Sequence, residues 1–136
     1  MQLLVFLLKQ KEYGHHLGMA FQLVDDVLDY EGDAETMGKN VGDDLAEGKA
    51  TLPLIHAMRE GSEEQAKLIR KAIRKGGLED IDAIMEIVKT CGSLEYTKQI
   101  ARKHVELAQQ CLNHLGDTDA KQALHSLARI AIERNT

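Results

Sequence analysis

The sequence predicts an all-α helical bundle, and three observations carry that expectation. Apolar residues recur at three- and four-residue spacing through most of the 136 residues. The eleven glycines fall mainly between those periodic segments, and there is a single proline. No stretch sustains the period-two alternation of a strand. A chain of this length builds one core, so residues 1–136 are read as a single domain.

The elements follow in order. A first helix is expected from near Gln2 to Tyr30, with Gly14 or Gly18 as the places where it could break. Its opening run, Leu3-Leu-Val-Phe-Leu-Leu8, is far too short to span a bilayer and lacks the flanks of a signal peptide. It reads as the buried half of a helix, or as a helix whose partners are absent. Residues 31–49 hold Gly32, Gly38, Gly42 and Gly48 and read as a long loop wrapping something. Thr51 is placed to cap the next helix, Pro53 sits in its first turn and Gly61 ends it. Ser62-Glu-Glu-Gln65 is a capping box that opens a helix to Lys75, stopped by Gly76-Gly77. Leu78–Thr90 carries Ile81, Ile84, Met85 and Val88 at helical spacing. Ser93 is expected to cap a helix to Leu115, closed by Gly116, and Asp117 or Thr118 to start a last one through Glu133. Six or so helices result.

Composition narrows function by exclusion. A net charge of −5 leaves no basic footprint for nucleic acid. The acidic excess concentrates in residues 25–47, where Lys39 is the one basic residue. Cys91 and Cys111 lack companions at metal-ligand spacing and read as thiols in a reducing cytoplasm. The six histidines include no pair at i, i+4, and all are given surface or core roles, His56 a packing one.

One helix carries chemistry. Gln22, Asp25, Asp26 and Asp29 stand at i, i+3, i+4 and i+7 and share one side of a helix. Leu17, Phe21, Val24 and Leu28 share the opposite side. One face should pack into a core while the other presents an amide and three carboxylates. Clustered carboxylates repel one another as they are desolvated, and a cation offsets that cost. The ion expected is hard and oxygen-seeking, Mg²⁺ before Ca²⁺, bridging to phosphate. Two other patterns fail. Between Gly42 and Gly48-Lys49 lie five residues instead of a P-loop's four, and Ala50 stands where Ser or Thr should be. A Ca²⁺ loop starting at Asp29 would have Ala34 at its turn glycine and Asn40 at its bidentate glutamate.

Gly18-Met-Ala-Phe-Gln-Leu-Val-Asp-Asp-Val-Leu-Asp29 resembles the second aspartate-rich motif of the trans-polyprenyl diphosphate synthases. Met37-Gly-Lys-Asn-Val-Gly-Asp-Asp-Leu-Ala-Glu-Gly-Lys-Ala-Thr-Leu-Pro53 is similar to that family's glycine- and lysine-bearing loop. The likeness continues through Leu54-Ile-His-Ala-Met58 and Cys91-Gly-Ser-Leu-Glu95 to about Asn135, and is greatest to the bacterial octaprenyl diphosphate synthases. A lone DDxxD is weak, but the two segments in this order are specific. Residues 1–12 fall outside the likeness.

The resemblance implies a fold of the isoprenoid synthase type, here as its C-terminal helices only. It implies joining of isopentenyl diphosphate to an allylic diphosphate, in making isoprenoid and quinone side chains. Asp25, Asp26 and Asp29 would be the catalytic Mg²⁺-binding residues, Asp25 and Asp29 as ligands and Asp26 as a ligand or its support. Gln22, Lys39 and Lys49 would bind diphosphate, and Asp44 would orient a lysine or the loop backbone. The full-length family is expected to form homodimers. Its first aspartate-rich motif, the basic pair after it and its Lys-Thr motif have no counterpart in this sequence. The chain is therefore expected not to turn over alone; the alternative is a folded helical fragment or interaction module.

Overall fold

A computed structural model describes residues 2–31, 42–76 and 79–133. Seven α-helices occur among them: α1 (Gln2–Glu31), α2 (Asp43–Ala46), α3 (Leu52–Glu60), α4 (Glu63–Lys75), α5 (Ile81–Thr90), α6 (Ser93–Gln110) and α7 (Asp119–Glu133). No strand occurs among the described residues. The all-α expectation therefore holds. The chain divides into two compact units, residues 25–98 and residues 1–24 with 99–136.

In the unit of residues 25–98, α3 packs on α4 and α5, α4 packs on α5, and α2 lies against α4. Their core is Leu45, Leu54, Ile69, Ile84 and Val88, each fully buried, with Val27 and Tyr30 of α1 joining it. The stripe that α4 contributes is Ala66, Ile69 and Ala72, at the three-residue spacing that puts them on one side. The Ser62–Gln65 capping box is formed in both directions: the Ser62 amide donates to Gln65 Oε1 at 2.9 Å and the Gln65 amide to Ser62 Oγ at 3.2 Å. His56 packs as expected, stacked on Tyr96 with ring centres 4.2 Å apart and 2.8 Å from Ser93 Oγ.

In the other unit, Ala20, Ala108, Leu112, Ala128 and Ala131 form a small-residue core. The Tyr13 hydroxyl donates to the Leu124 carbonyl at 2.7 Å. His16 and His104, distant in sequence, meet with their Nδ1 atoms 3.0 Å apart. Burial, and then the neighbouring His16, His15 and Lys103, lowers the His104 pKa. Sequence spacing gave no sign of this pair, because its partners lie on different helices.

Several local expectations need correction. The first helix does not break: it runs through Gly14 and Gly18, where a Cβ would meet nothing within 4 Å. Residues 31–49 are not loop throughout, since α2 lies within them. Thr51 takes the cap position of α3 but makes no side-chain cap bond. Ser93 is no cap either. It is buried and bonded to His56, while the Gly92 carbonyl accepts the first helical bond from Tyr96. The helix from Ser93 ends at Gln110, and residues 111–114 form turns. Leu3–Leu8 are helical but not a buried half: all six are between 41% and 70% exposed. At the last helix Thr118 provides the cap, its Oγ1 accepting from the Lys121 amide at 3.2 Å.

Candidate functional site

The site begins on the last two turns of α1. An aspartate at i+4 from another stands one turn along the same side, so Asp25 and Asp29 are stacked and Asp26 flanks them. Their surroundings differ from the open acidic face expected of this helix. Asp29 is fully buried, Asp26 is 5% exposed, and Asp25 is half-buried. Gln22, in the part of α1 that belongs to the other unit, is exposed.

The physical reason for the burial of Asp29 is α2. The first amides of a helix have no partner within it, and a carboxylate supplies one. Asp29 Oδ1 accepts from the Asp44 amide at 3.1 Å and Oδ2 from the Leu45 amide at 3.3 Å. The Asp29 carbonyl accepts from the Gly42 amide at 2.7 Å. Gly42 has φ +91°, a left-handed conformation that L side chains rarely adopt, and this lets the chain turn into α2. The third aspartate thus holds the start of α2 at the same time as it sits on the acidic helix.

Beyond α2 the chain makes another glycine-dependent turn. Gly48 has φ +74°, and a Cβ there would lie 2.6 Å from the Ala72 carbonyl oxygen and 2.9 Å from that of Ile73. This close approach fixes where Lys49 leaves the turn. The Lys49 amide donates to the Asp44 carbonyl at 3.0 Å, and its ammonium stands 3.9 Å from Asp44 Oδ1. With the lysine side chain 53% exposed, that ion pair contributes little. Asp29, Asp44 and Lys49 are therefore tied together through the backbone of α2. Lys39 lies outside the described residues.

Tyr30 adds a feature that the sequence reading missed. It is 2% exposed, and its hydroxyl faces the Thr51 side chain. Burial pushes its phenol far above the ordinary value; the Thr51 side chain pulls it back in part, and the negative fields of Asp29, Asp26 and Asp44 push it up again. It stays neutral at any working pH. No signal in the sequence distinguishes this tyrosine from a core aromatic.

Among the described residues no group of three or more His, Cys, Asp or Glu side chains is arranged to hold a metal ion. The donor set nevertheless fits Mg²⁺. That ion keeps several waters and takes one or two carboxylates together with substrate phosphate oxygens, rather than a closed protein cage.

Residues 7–91 match the polyprenyl synthetase family model. The chain is 51% identical over 126 residues to octaprenyl diphosphate synthase of Escherichia coli, covering 92% of this chain and 39% of that one. It thus spans about two fifths of the length of the relatives it matches. A polyprenyl synthase from Caulobacter crescentus, crystallised with calcium and isoprenyl diphosphate, superposes with a TM-score of 0.84 at 38% identity, over 94% of this chain and 40% of its own. Geranylgeranyl pyrophosphate synthase from Corynebacterium glutamicum, crystallised with isoprenyl diphosphate and magnesium, gives 0.79 at 36% identity, over 90% and 36%.

Proposed function

Because this chain belongs to the polyprenyl synthetase family, we propose that its residues form the second aspartate-rich wall of a Mg²⁺-dependent trans-prenyltransferase. The reaction would join isopentenyl diphosphate to an allylic diphosphate, giving a polyprenyl, here octaprenyl, diphosphate in a reducing cytoplasm. The observation that carries the reading is the stacked Asp25 and Asp29 on α1, with Asp29 also holding the start of the glycine loop. Asp25 and Asp29 would hold Mg²⁺, with Asp26 as a further ligand or support. Mg²⁺ there supplies charge neutralisation for the leaving diphosphate.

The rest belongs to the chain's own side chains. Gln22 would donate its amide to a diphosphate oxygen. Lys49, set on the Gly48 turn, and Lys39 would bring positive charge to the same group, stabilising it most when the carbon–oxygen bond breaks and its charge is greatest. Asp44 orients the segment before Lys49 through backbone bonds. Nothing in the scheme asks for a protein nucleophile. With one aspartate-rich wall, leaving diphosphate stays hydrated and each ion contact is weakened. Residues 1–136 taken by themselves would therefore bind Mg²⁺–diphosphate without sustained turnover.

Titration calorimetry with diphosphate, in the presence and absence of Mg²⁺, tests this. Binding should require Mg²⁺ and should weaken strongly in Asp25→Asn and Asp29→Asn, and less in Asp33→Asn, beyond the motif. Equal affinity in all three folded variants would reject the site. Incubation with Mg²⁺, radiolabelled isopentenyl diphosphate and farnesyl diphosphate tests turnover; a long product made by this chain alone would overturn the one-wall argument.

A further inference from the structure

The outer face of α4 does nothing in this scheme, yet beyond Glu63 and Glu64 in its first turn its exposed charges are all of one sign. Lys67, Arg70, Lys71, Arg74 and Lys75 are all exposed, and residues 65–75 contain no acidic side chain. This stands against a net charge of −5 for the whole chain. The opposite stripe of the helix, Ala66, Ile69 and Ala72, is committed to the core. The charged face is therefore fixed outward and cannot turn away. Lys71 is partly engaged by Asp80 at 3.9 Å. The same five residues line a recess of about 830 Å³. Met58 and Ile73, both half-buried, line it too.

We infer that this face of α4 docks on an anionic lipid bilayer. A basic helix face beside an apolar recess suits a surface of negative headgroups over hydrocarbon. Single-stranded nucleic acid fits less well, since such sites pair basic residues with aromatic stacking platforms, and no aromatic residue lines this recess. The inference rests on the proposed reaction for its use: a long polyprenyl diphosphate has an anionic head and a tail that water does not dissolve. An enzyme that releases it beside a bilayer avoids stranding it. Because the chain as a whole is acidic, attraction acts only when this face points at the membrane within about a Debye length, some 8–10 Å. Docking should therefore be oriented and should weaken steeply with salt.

Sedimentation of the whole chain with vesicles tests the inference without any turnover. Binding is expected to vesicles of phosphatidylcholine mixed with phosphatidylglycerol, and not to phosphatidylcholine alone. Each basic residue at such a surface is worth on the order of fivefold in affinity. The triple variant Lys67→Gln, Arg70→Gln, Arg74→Gln should thus lose on the order of 100-fold. Its substitutions lie on the exposed face, and circular dichroism verifies its helix content. A charge-neutralised variant elsewhere, Lys89→Gln with Lys103→Gln, should bind like the parent. Asp25→Asn should also dock normally, which separates this surface from the diphosphate site. Equal binding to neutral vesicles, or full retention in the triple variant, overturns the inference. So does tighter binding to a single-stranded oligonucleotide at the same salt. Failure of docking with Mg²⁺–diphosphate binding intact would reject the docking surface and leave the site reading standing.

Discussion

Asp29 caps α2, and substitution measures what that cap contributes. Replacing it with alanine leaves the Asp44 and Leu45 amides without their acceptor in a buried place. Losing a charged cap of this kind costs about 2 kcal/mol. Asp25→Ala leaves both of those capping bonds in place and should cost less. Chemical denaturation of both variants checks this, and equal losses would count against the capping role. Sequence spacing placed both aspartates on one side of a helix correctly. It could not show that one of them caps a distant short helix, because that depends on a contact across fifteen positions. A second residue-scale expectation concerns acid. The His104 pKa is lowered by burial and by His16, so the unfolded chain takes up this proton more readily than the folded one. Its contribution to stability is complete above about pH 6.5, the unfolded value, and is lost as pH falls toward the lower folded value. Denaturation midpoints measured through that range should fall on acidification, and His104→Asn should flatten the slope.

At the scale of elements, the turn between α2 and α3 decides where Lys49 stands. Gly48 combines a left-handed φ with a backbone approach that leaves no room for a methyl group. Gly48→Ala should therefore destabilise by about 2–4 kcal/mol, through backbone strain and displacement from the Ala72 and Ile73 carbonyls. The melting temperature reports the loss; a change within error would mean that α2 can shift away freely. Helix ends with side-chain chemistry were readable in advance: the Ser62–Gln65 box forms as its spacing requires. Ends without it were not. Ser93 had the right residue type for a cap, but His56 claims its hydroxyl from another helix. α2 was hidden because four residues are too few for a periodic pattern.

For the whole molecule, the all-α class followed from periodicity, while the exposure of its first turns did not. Leu3–Leu8 have the composition of a buried segment, and six consecutive exposed apolar residues cover every side of a helix. Leu127 and Ile130, in the same unit, are exposed as well. Apolar surface of this kind drives association. Sedimentation velocity should show mass rising with protein concentration, and Leu4→Lys with Leu8→Lys should shift the chain toward monomer. A strictly monomeric parent would reject this. No described helix is long and apolar enough to cross a membrane.

The tie from Asp29 to the amides of Gly42, Asp44 and Leu45 also bears on how such a sequence can diverge. It joins the end of α1 to the start of α2, so the register of Lys49 is counted from Gly42 onward. One residue gained or lost between Gly42 and Lys49 would carry the lysine off its position and move Gly48 from its close approach to the Ala72 and Ile73 carbonyls. Length variation among descendants of this sequence should therefore be scarce between Gly42 and Lys49.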